Sequence, residues 1–100
     1  MRALNKEKMK SLIDFDMAES LRTDKEIAEY LNQVIEDGDD AELARALGYV
    51  ARARGMTEIA KSSGIGREAL YKALRSNAKP RFDTVNKVIH ALGMKISVHA

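Results

Sequence analysis

One stretch constrains this chain more than any other: Met56-Thr-Glu-Ile-Ala-Lys-Ser-Ser-Gly-Ile-Gly-Arg-Glu-Ala-Leu-Tyr-Lys-Ala-Leu74. Within it the small Ala60 is followed after three intervening positions by Gly64, then by the apolar Ile65, Leu70 and Leu74. Each position has a steric role. Ala60 leaves room for a second helix to cross, and Gly64 lets the chain turn through a left-handed conformation that costs other residues about 1 kcal/mol. Ile65, Leu70 and Leu74 then hold the second helix on a core. The spacing predicts two short helices joined by a tight turn, a helix-turn-helix over residues 56–75, whose second helix has the dimensions to enter a DNA major groove.

The rest of the chain agrees with an all-α fold. It has 100 residues, one domain's worth, with 45% hydrophobic and 32% charged side chains, one proline and six glycines. Thr23 or Asp24 can cap a helix on which Ile27, Tyr30, Leu31, Val34 and Ile35 recur at helical spacing up to Gly38. Asp39 caps the next, with Leu43, Ala46, Leu47 and Val50 inward and Arg45, Arg52 and Arg54 at or near the other face, and Gly55 ends it. Helices over 57–63 and 67–75 follow, and a last one starts around Pro80–Phe82, turns Val85, Val88, Ile89 and Leu92 inward and stops at Gly93. The expectation is five helices in a domain over 24–100, preceded by an arm at 1–23. The tail alternates polar and apolar from Lys95 to His99, a short C-terminal strand whose partner must come from a two-fold related chain, the arm or another protein.

Charge is segregated along the chain. The net charge is +2, but residues 24–42 hold one basic and eight acidic side chains while 43–100 hold eleven basic and three acidic. Arg52, Arg54, Lys61, Arg67, Lys72, Arg75, Lys79 and Arg81 cluster, opposed only by Glu58 and Glu68. Such a cluster suits a polyanion as well as a solvated helix face, and the helix-turn-helix within it favours the polyanion.

Other chemistries find little support. There is no cysteine, so disulfides and thiolate metal sites are excluded and a reducing cytoplasm is the expected home. Residues 1–10 are basic and polar with no apolar region behind them, and no stretch approaches the roughly 20 apolar residues of a membrane span. His90 and His99 have no companion ligands at metal spacing, Asp37-Gly-Asp-Asp40 lacks the alternating ligands of a calcium loop, and Gly64-Ile-Gly66 lacks a strand and a phosphate-binding lysine. No nucleophile and base suggest themselves. The chain is expected to be no enzyme and to need no cofactor or metal.

From about Asp24 to Met94 the sequence resembles the addiction-module antidote family within the Cro/repressor-like helix-turn-helix (XRE) group. The resemblance is carried by Ile27-Ala-Glu-Tyr-Leu31, Ala53-Arg-Gly-Met56, Gly66-Arg-Glu-Ala-Leu-Tyr-Lys-Ala-Leu74, Pro80-Arg-Phe-Asp-Thr-Val85 and Ala91-Leu-Gly93. Gly66 departs from it, standing where such motifs usually have a capping serine. The resemblance implies a cytoplasmic homodimer that binds its own operator and neutralises a small toxin of the RelE/ParE type. On the DNA side, Arg67, Glu68, Tyr71 and Lys72 share the exposed face of the second helix and are the candidates to reach base edges. Thr57, Lys61, Arg75, Asn77, Lys79 and Arg81 lie at helix ends and loops and are the candidates for phosphate. For the toxin, whose superfamily tends to be basic, the candidates are Glu26, Glu29 and Glu36 of the acidic helix and Phe15, Met17 and Leu21 of the apolar arm. Ile96 and Val98 are the candidates for a dimer contact. The alternatives are a stand-alone repressor without a toxin and a protein-interaction scaffold that never touches DNA.

Overall fold

The computed structural model describes residues 21–100. Among them are five helices and no strand: α1 (Asp24–Asp37), α2 (Asp40–Arg54), α3 (Met56–Ser63), α4 (Arg67–Ala73) and α5 (Phe82–Ala91). Local chemistry sets most of their ends. The Thr23 hydroxyl oxygen accepts from the Glu26 amide at 3.1 Å and the hydroxyl donates to the Glu26 carboxylate, which satisfies one of the orphan donors of α1. Asp39 does the same for α2, its Oδ1 accepting from the amides of Ala41 at 3.0 Å and Glu42 at 3.3 Å.

α2 is the central element. It packs on α1, α3 and α5, while α3 packs on α4 and α5. Ile27, Leu47, Val50, Leu70 and Val88, one or two from each of four helices, are fully buried and form the middle of a single core. Met56 and Ile59 of α3 and Leu74 at the end of α4 close around them. No polar or charged side chain is buried among the described residues, so this core rests on apolar contact alone. α2 meets the end of α4 without a side chain between them: a Cβ placed on Gly48 would lie 2.8 Å from the carbonyl oxygen of Leu74. Only glycine allows so close an approach of two backbones.

At the α1–α2 contact Tyr30 is half-buried. Burial first, then the Glu42 carboxylate and Tyr49, hold its phenol above the ordinary value, and Arg45 partly offsets them. Arg54 near the end of α2 is ion-paired with Asp24 at the start of α1.

Residues 94–100 form no strand among the described residues, and no described segment supplies the ladder such a strand needs. Ile96 packs instead at the edge of the core, and Val98 is 95% exposed. Ile35, expected on the inner stripe of α1, is 43% exposed and borders a surface groove.

Candidate nucleic-acid interface

α3 and α4 are joined by Gly64, Ile65 and Gly66. Gly64 has φ 74° and ψ 12°, and its amide donates to the Ala60 carbonyl at 3.0 Å, ending α3 in the left-handed conformation its spacing predicts. Ser63 reinforces the turn: its hydroxyl donates to the Ala60 carbonyl and its oxygen accepts from the Ile65 amide, both at 3.3 Å. Serine side chains bond readily to backbone groups a few residues away, which is the sequence signal for this role. Gly66 has φ −58° and ψ 144° and offers no side-chain cap to α4.

Leu70 and Leu74 anchor α4 by its inner side, and Arg67, Glu68, Tyr71 and Lys72 are all exposed. The Arg67 guanidinium lies over the Tyr71 ring, 5.6 Å from its centroid, so two of the four base-contact candidates pre-organise each other.

The phosphate candidates separate into groups. Arg75 and Asn77, with Ser76, Ala78 and the base-contact candidate Lys72, line a hollow of about 490 Å³ beyond α4. Lys72 also borders a second hollow of about 360 Å³ with Lys79 and Arg81. Arg81 faces its own Asp83 at 3.4 Å, an exposed pair worth little in water and easily exchanged. Thr57 lies in the first turn of α3 and Lys61 in its last, both exposed and apart from these hollows. Arg52 and Arg54 leave the basic cluster, the first lying over Tyr49 at 5.4 Å and the second paired with Asp24.

Residues 11–100 match a family described as probable addiction module antidote protein. The chain belongs to that family. It is also 46% identical over 87 residues to an uncharacterised protein of Haemophilus influenzae, covering 87% of this chain and 90% of that relative. No solved structure matches it.

An antidote implies a toxin partner, and the structure divides the residues expected to meet one. On the antidote's α1, Glu29 and Glu36 are exposed, and Glu26 is committed in part to the Thr23 cap. Leu21 is 5% exposed and belongs to the core, so its apolar surface is already covered within the chain. Phe15 and Met17 lie outside the described residues. Of the two dimer candidates, Ile96 is partly buried against the antidote's own core and Val98 stands free in solvent. Among the described residues no group of side chains is placed to hold a metal ion, and no helix is long and apolar enough to cross a membrane.

Proposed function

We propose that this antidote neutralises a small toxin of the RelE/ParE type and, as a cytoplasmic homodimer, binds operator DNA to repress its own operon. Residues 24–100 are then a Cro/repressor-like helix-turn-helix domain in which α3 braces and α4 reads. The observation that carries the reading is the exposed row Arg67, Glu68, Tyr71 and Lys72 on a helix anchored by Leu70 and Leu74, with cationic hollows beside it. Arg67 offers a bidentate contact to guanine, Glu68 an acceptor for cytosine N4, and Tyr71 an apolar surface for a thymine methyl. Lys72 reaches either a base edge or a phosphate, while Arg75, Asn77 and Lys79, with Thr57, Lys61 and Arg81, meet the backbone and set register without reading sequence. The acidic α1, with Glu29 and Glu36 exposed, is the side offered to a basic toxin.

One helix reads only a few base pairs, so selectivity in a genome requires two copies on half-sites about one helical turn apart. The test is binding to the DNA upstream of the antidote's own gene across a salt series. The expected slope of log affinity on log salt is about −0.9 per phosphate neutralised, and a flat response at measurable affinity refutes the DNA reading. Purification from the native host tests the other half. A stoichiometric basic protein that arrests growth when expressed alone is the expected companion, and an antidote recovered alone that still shifts its promoter supports a stand-alone repressor instead.

A further inference from the structure

Two of the large apolar side chains left at the surface share one groove. Among the described residues the large apolar side chains so exposed are Ile35, Tyr71, Phe82 and Val98. Tyr71 belongs to α4, but Ile35 and Phe82 border one groove of about 280 Å³ together with Leu43, Val85 and Ile96. Phe82 opens α5 and is 71% exposed, and Val98, two residues beyond Ile96, is 95% exposed. An apolar surface gathered this way marks a contact site more often than a solvated one.

The same groove carries one acid and one base. Asp40 comes from the start of α2 and Lys79 from the loop into α5, and neither forms an ion pair among the described residues. We infer that this groove is the face through which two copies of the antidote pair, an inference that rests on the dimer of the proposed function and gives it a place. A two-fold axis running between the two residues sets one protomer's Asp40 against its partner's Lys79 and the reverse, while the apolar side chains meet at the centre. A patch holding both signs around an apolar middle is complementary to itself, as an isologous contact requires. A purely basic or purely acidic partner would leave one of the two charges opposed by its like.

The location fits the task. Lys79 and Pro80 border this groove and also the hollow beside α4, so a partner seated here lies next to the reading helix. The interface then sets the separation of the two α4 helices on DNA. It also reassigns Lys79, from a phosphate contact to a partner contact, and Ile96, from a strand-pairing residue to part of the groove wall.

Sedimentation of the full chain over a concentration series tests this, with circular dichroism to verify folding. The wild type is expected to be a dimer, and Phe82→Glu to weaken dimerisation roughly tenfold or more, as for a central interface aromatic. Asp40→Lys and Lys79→Asp each weaken it several-fold, and the two together in one chain restore it. A wild-type monomer at the highest concentration reached overturns the dimer reading and this face with it. A dimer insensitive to all these variants overturns the face alone and leaves the dimer standing. An unaffected dimer in which Phe82→Glu loses a co-expressed toxin assigns the groove to the toxin and overturns the proposal. An unaffected dimer with a melting temperature lowered by several degrees assigns it to a segment of the chain itself, with the same consequence.

Discussion

Replacing Gly48 by alanine sets two well-measured effects against each other. Gly48 lies inside α2, where alanine is favoured over glycine by about 1 kcal/mol through the smaller entropy of the unfolded chain. Propensity alone therefore predicts a more stable protein. The structure predicts the reverse, because the new methyl would sit 2.8 Å from the carbonyl oxygen of Leu74. That oxygen belongs to the backbone at the end of α4 and cannot rotate aside like a side-chain tip. The two helices must part by several tenths of an ångström, against the packing of Leu70 at 0% and Leu74 at 4% exposure. Overpacking of this kind costs about 1–3 kcal/mol, so the net expectation is a loss of about 1 kcal/mol. In a domain of this size that lowers the melting temperature by about 4–8 °C, which thermal unfolding followed by circular dichroism resolves. Because the displaced element is α4, affinity for DNA should fall as well, even at temperatures where the variant is fully folded. A melting temperature raised by a few degrees would show that propensity wins and that the contact is not tight.

Three further outcomes are expected. Arg67→Ala should cost about 1–3 kcal/mol in operator binding and relax selectivity at one position, whereas Lys61→Ala should weaken all sequences alike, and competition binding against single-base operator variants separates the two patterns. Gly66→Ser should stabilise the fold by a few tenths of a kcal/mol, since its backbone already suits a cap and nothing lies within 4 Å of the added Cβ; urea unfolding showing no gain would mean the serine does not reach the α4 amides. The raised Tyr30 pKa makes stability fully present below the unfolded tyrosine value of about 10 and lost as pH rises from there through the folded value. Tyr30→Phe should remove that part of the alkaline loss, and identical profiles for the two proteins above pH 10 would refute the assignment.

The residues that speak most plainly in the sequence act within a few positions of themselves. Thr23 and Asp39 cap the helices they precede, and Gly64 turns the chain where its spacing with Ala60 and Leu70 demands. The exposed row on α4 was equally legible, because Leu70 and Leu74 define its inner side and helical period places Arg67, Glu68, Tyr71 and Lys72 away from it. Element ends moved by only a residue or two: the second helix of the motif stops at Ala73 rather than continuing to Arg75.

Sequence by itself therefore determined which segments are helices, where they begin and end to within a residue or two, and which side chains α4 presents, because hydrogen bonds and side-chain period operate over one or two turns. Tertiary structure decided everything that depends on which helices meet. It placed Arg54 on Asp24 rather than among the free cations, pressed Gly48 against the Leu74 carbonyl, covered Leu21 with core and left Ile35 at a groove. It also laid Ile96 of the alternating tail against the chain's own core. These contacts join residues far apart in the chain, and no local periodicity or cap carries the information of which distant surface a side chain will face.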